Sequence, residues 1–220
     1  MSSPPRICCL QQLYRQYLVE QDVDEFTRRI LARYTPATLE RLLGNAPNMV
    51  RRAAALALGL VADYGSNQAL GDALRDCDPG VRHLSEGSIR NVWLRDGESA
   101  QQQLLRTIAR QNASGRHRRA LLLATELIGH TGKIAEAWNQ RAIAHFGLTH
   151  YTESIHDCRQ ALTLNSYHFA AQAGIGQCFL RLGNDLWALE SFRRGLNIYP
   201  DQDDVRDQVA SLERKLRKKK

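Results

Sequence analysis

The chain has 220 residues, 43% hydrophobic and 24% charged, enough to bury its own core and too ordinary for a disordered, collagenous or disulfide-stapled protein. Thirty basic residues against 23 acidic ones give a net charge of +7, which at first sight points to nucleic acid or an anionic membrane. The longest purely apolar or glycine run, 53–62, has ten residues, short of the roughly 20 that a spanning helix needs.

Residues 1–6 lack the apolar stretch of a secretory leader, and the five cysteines form an odd set with no C-x-x-C pair. Reduced thiols and a cytoplasmic location are therefore expected. Apolar spacing is helical almost throughout, with no alternating strand pattern, so the expected fold is all-α. Leu10, Leu13, Tyr14 and Tyr17 share a face of a first helix; Phe26, Ile30 and Leu31 are expected to do the same in a second. At Thr35-Pro36 threonine can cap the next helix while proline takes its first position, and Asp78-Pro79 repeats the device.

A shift of 31 residues aligns Val50-Arg51 with Val81-Arg82, Ala53 with Leu84 and Leu58 with Ile89. Each Val-Arg segment follows a short helix, around 39–43 and 69–74. This resembles the short HEAT-like repeat over 36–96, although Glu86-Gly87-Ser88 interrupts the second copy's apolar stripe. A mid-helix glycine costs about 1 kcal/mol against alanine.

A second period, 34 residues, aligns 135–168 with 169–202 without a gap: Ala137 with Ala171, Ala142 with Gly176, Leu162 with Leu196. The second copy supplies Ile175-Gly176, Phe179, Ala188, Phe192 and Pro200; the first keeps Trp138. This resembles the tetratricopeptide (TPR) repeat. Residues 101–134 form a degraded copy, and 203–217 a capping helix with Val205, Val209, Leu212 and Leu216 on one stripe, followed by a basic tail. The expected architecture is a right-handed α-solenoid of antiparallel helix pairs: N-terminal helices over 1–35, HEAT-like repeats over 36–96 and a TPR domain over 97–220.

No catalytic, metal or cofactor site is expected. His145, His150 and His156 lie within twelve residues beside Cys158, but form no i, i+4 pair and are expected to be kept apart by the intervening turn. Cys158 and Cys178 are read as core thiols. Gly174-Ile175-Gly176 follows no strand, which removes a phosphate loop. His83, Glu86 and Ser88 beside Trp93 leave open an enzyme on the HEAT-like half, of the bilin lyase or DNA glycosylase type. A cleft gathering His83 or Glu86 with other polar groups would favour it.

The TPR resemblance implies a non-enzymatic protein–protein interaction scaffold or adaptor with a peptide groove lined by the first helix of each pair. Around those helices the groove residues are expected to be Glu136, Asn139, Ile143 and Phe146, then Ala173, Gln177, Leu180 and Arg181. At the positions where TPR co-chaperones clamp a heat-shock chaperone's terminal carboxylate with Lys, Asn, Asn, Lys and Arg, this chain has Asn139, Ile143, Gly174, Asp204 and Gln208. The resemblance thus argues against that peptide. Residues 214–220 hold six cations, leaving 7 − 6 = +1 elsewhere, and 97–134 is locally basic at 6 − 2 = +4. The charge therefore argues only weakly for nucleic acid.

Overall fold

The computed structural model describes residues 9–218; Cys8, the reading of residues 1–6 and the last two lysines lie outside them. Among the described residues there are thirteen α-helices, one 3-10 turn (Tyr64–Ser66) and no strand. The chain divides into two compact units between Trp93 and Leu94.

The N-terminal unit comprises α1 (Cys9–Glu20), α2 (Val23–Leu31), α3 (Pro36–Asn45), α4 (Asn48–Val61), α5 (Asn67–Ala73) and α6 (Pro79–Trp93). Thr35 caps α3 by accepting from the Thr38 amide, with Pro36 in the first turn. Asp78 accepts from the Val81 amide at the start of α6 at 3.0 Å. Helix α4 packs against α1, α2, α3 and α6, so Ala53, Ala54, Ala55, Ala57 and Leu58 are all fully buried. Small side chains let the neighbours close in: at Gly59 a Cβ would stand 2.8 Å from the Ser88 backbone.

Two arginines tie α4 to the turn before α6. Arg51 grips Asp76 through two nitrogens at 2.8 and 2.7 Å, and Arg52 grips Asp78 at 2.7 and 2.8 Å. The Arg52 guanidinium, with the Val81 amide, holds the Asp78 carboxyl far below the usual range. One expectation fails: Leu31 is 64% exposed. It lies about 100° around the helix from Ile30, off the stripe that Phe26 and Ile30 share at i, i+4.

The C-terminal unit runs through α7 (Ser99–Ala113), α8 (His117–Thr131), α9 (Ala135–Gly147), α10 (Tyr151–Leu164), α11 (Phe169–Arg181), α12 (Asp185–Ile198) and α13 (Asp203–Arg217). Each helix packs on the next through a short turn, giving antiparallel pairs. The 34-residue register extends through the degraded copy. Gly115, Thr149 and Gly183 stand 34 apart, all left-handed with φ of +71°, +64° and +74°. In each turn the following amide bonds back five residues, from Arg116 to Gln111, His150 to His145 and Asn184 to Phe179, all at 2.9 Å. This is the six-to-one bond that closes a helix on a left-handed residue.

Gly176 marks the close approach of α11 and α12: a Cβ there would stand 2.5 Å from the fully buried Phe192 ring. In the preceding pair Ser154 stands one period before Ala188, and its hydroxyl donates to the Ala142 carbonyl at 2.8 Å. Gln172, in the tryptophan position of the second copy, donates to the Ser191 carbonyl at 3.2 Å. Helix α13 covers the last pair: Val205 and Leu212 are buried with Ala188, Leu189 and Phe192.

Candidate functional site

Between α9 and α11, over α10, lies a groove of about 300 Å³. Asn139, Ile143 and Phe146 line it from α9, and Ala170, Gly174, Gln177 and Arg181 from α11; Ala142, Ser154 and Cys158 complete its walls. The absence of a side chain at Gly174 leaves room, since a Cβ there would meet the Cys158 sulfur at 3.2 Å. Ile143 is 40% exposed in this groove. The Arg181 guanidinium lies 5.8 Å from the Phe146 ring centroid, within reach of the ring's negative face. An apolar middle with an amide and a cation at its rim suits an extended chain carrying apolar side chains and a carboxylate.

Five of the residues anticipated from the helical wheel thus come together: Asn139, Ile143, Phe146, Gln177 and Arg181. The other three lie elsewhere. Glu136 is buried beneath the groove, where the His168 Nε2 donates to it at 2.8 Å, Gln140 at 2.6 Å and Asn139 at 3.2 Å. His168 Nδ1 accepts from the Ala171 amide, which leaves Nε2 as the donor to Glu136. Burial alone would raise the Glu136 carboxyl; the His168 ring and the two amides outweigh it and hold it below the ordinary range. Ala173 and Leu180 turn toward the core of α12 and α13. Each lies one period after a groove residue, but α13 now occupies the space beside them. Ala170, Gly174 and the Ser154–Cys158 wall were missed because small residues leave no periodic signal.

The histidines are closer than expected. The intervening turn does not separate them: His145 Nε2 and His156 Nδ1 both approach Asp157, at 3.8 and 3.2 Å. Arg141 already occupies that carboxylate with two bonds at 2.7 and 2.8 Å. Among the described residues no three His, Cys, Asp or Glu side chains are arranged to hold a metal. Cys158 and Cys178 are buried, and burial pushes both thiols up, away from the nucleophilic form. His83, Glu86, Ser88 and Asn91 do share a surface concavity of about 350 Å³. There Glu86 is engaged by Arg90, Ser88 is 4% exposed, and Trp93 turns its indole N–H to Asn67 at 2.8 Å.

No protein-family model matches the chain. A TPR repeat-containing protein of Rhizobium etli is 29% identical over 150 residues, 68% of this chain and 74% of the relative. Among solved structures, the first TPR domain of human RPAP3 is 20% identical, covers 53% of this chain and 91% of its own, and superposes with a TM-score of 0.50. The first TPR of Spaghetti (RPAP3), bound to an HSP90 peptide, gives 19%, 53%, 92% and 0.50. The Yersinia enterocolitica type III secretion translocator chaperone SycD gives 13%, 54%, 96% and 0.51. At these identities the solved structures establish the fold alone: an all-helical solenoid of TPR type over about half of this chain. The Rhizobium relative supports the same repeat in sequence.

Proposed function

We propose that the chain is a non-enzymatic scaffold or adaptor whose C-terminal unit receives an extended peptide segment in the α9–α11 groove. The observation that carries this reading is the convergence of Ile143, Phe146, Gln177 and Arg181 on one groove with an apolar interior and a polar rim. The TPR-type fold supports it. Residues 36–96 are read as HEAT-like repeats, on the Val-Arg register at 31 residues. The rival reading, an enzyme on that half, draws no support from the relatives found. Affinity purification of the full chain from cell extract, compared with an Ile143→Glu/Arg181→Ala variant, tests the groove. Asn139 is spared because it donates to buried Glu136. Partners of the wild type are expected to be lost from the variant; recovery of the same proteins by both would refute the assignment.

No lysine lines the groove, and Ile143 and Gly174 stand at the two positions where the clamp for a terminal carboxylate has asparagine. Calorimetry with a peptide ending Glu-Glu-Val-Asp is therefore expected to show no saturable heat; micromolar binding would contradict the reading.

A further inference from the structure

The charge that is scattered in sequence becomes one surface in the fold. Because successive helices of the C-terminal unit are antiparallel, the ends of α7, α9, α11 and α13 fall on a common edge. Three contacts pin it. The turn Gly115–Arg119 shares a concavity of about 520 Å³ with Gly147 and Leu148. Arg181 reaches Phe146, and Lys215 Nζ donates to Asp185 at 2.8 Å. Along this edge stand exposed Arg116, Arg118 and Arg119 at one end and exposed Arg214, Lys215, Arg217 and Lys218 at the other. The opposite edge, at the α12–α13 turn, carries Asp201, Asp203 and Asp204.

In the basic edge sit three large apolar side chains in water. Leu182, Leu186 and Trp187, on the α11–α12 turn, are 50%, 67% and 56% exposed. The Trp187 ring stacks obliquely on Phe179 at 6.1 Å, which fixes its orientation. An apolar cluster flanked by cations meets the two demands of an anionic bilayer: phosphate and carboxylate headgroups for the arginines and lysines, and an interfacial layer for leucine and tryptophan. We propose that this turn edge docks on an anionic lipid surface, with Leu182, Leu186 and Trp187 entering the headgroup layer. Nucleic acid would satisfy the cations and leave both leucines in water. The attachment proposed is peripheral; no helix among the described residues is long and apolar enough to cross a membrane.

Sedimentation of the full chain with phosphatidylcholine vesicles, with and without phosphatidylserine, tests this. Retention is expected only on the anionic vesicles and should fall as salt rises. Leu182→Gln/Leu186→Gln should weaken it about tenfold or more, and Arg116→Glu/Arg118→Glu/Arg119→Glu more still. Circular dichroism checks that each variant is folded. Brominated lipid gives a readout on the unmodified chain: it should quench Trp187, while Trp93 is only 2% exposed and Trp138 stands at the opposite edge, near the start of α9, with its indole N–H on the Gly132 carbonyl. The proposal is overturned by absent retention, by equal retention on neutral vesicles, or by undiminished binding of the folded leucine variant. Failure to quench, or salt-sensitive binding to an RNA or an acidic peptide without vesicle binding, would also overturn it.

Discussion

Thr149 is the residue at which the repeat and its own chemistry disagree. It holds φ +64° where the neighbouring copies place Gly115 and Gly183, and a β-branched residue is strained there. Thr149→Gly is expected to raise stability by about 1 kcal/mol, measured by urea unfolding; a loss would mean that the threonine side chain contributes more than its backbone costs. In the N-terminal unit two glycines of packed helices are predicted to behave oppositely. Gly87 is exposed with nothing within 4 Å of a new Cβ, so Gly87→Ala should stabilise α6 by about 0.5–1 kcal/mol. Gly59 faces the Ser88 backbone at 2.8 Å, and Gly59→Ala should destabilise by about 1–3 kcal/mol through overpacking. If both substitutions shift the melting temperature the same way, the α4–α6 packing described above is wrong. The α6 glycine was legible as a helix-weakening residue; that the helix nevertheless runs unbroken from Pro79 to Trp93 was decided by its burial against α4.

At the scale of elements, the 34-residue period carried most of the information. It placed α9 to α12 and the capping stripe of α13, because apolar groups at helical spacing recur where identical helix pairs must bury identical faces. The packing seam was equally legible: Gly176 aligns with Ala142, and its missing Cβ would fall 2.5 Å from Phe192. Gly176→Leu is expected to cost about 1–3 kcal/mol, and an unchanged thermal midpoint would break the alignment of the two copies. The groove was only partly legible. A helical wheel finds Ile143 and Gln177, yet it treats every copy alike, whereas α13 closes the last one and draws Ala173 and Leu180 into a core. Glu136 escaped for a related reason: its partner His168 lies 32 residues on, in a turn that no helix-wheel argument reaches.

Across the whole molecule, protonation is expected to work against stability on the acid side. Asp76, Asp78 and Glu136 are held below their ordinary range. His145 is lowered by burial, against the pull of Asp157; Asp96, raised by burial, opposes them. A group whose folded pKa is depressed contributes stability that is full above its unfolded value and is lost as pH falls. The melting temperature should therefore decline below about pH 6.5 as His145 is protonated, and more steeply below about pH 4.5. His145→Gln should flatten the first segment; the same slope between pH 7 and 5.5 in wild type and variant would remove His145 as its source.

Composition, helical apolar spacing, the 34-residue period and the placement of proline and glycine determined an all-helical chain, its caps and most of its buried stripes, because these follow from local propensity and from burial repeated at a fixed interval. The +7 charge was already divisible by sequence into a basic 97–134 segment and a run at 214–220. Only the tertiary structure placed Arg116, Arg118 and Arg119 on the same edge as Arg214, Lys215, Arg217 and Lys218, with Leu182, Leu186 and Trp187 exposed along it. That outcome depends on helix direction: antiparallel packing brings residues a hundred apart to the same end of the unit, and no local pattern encodes which ends will meet.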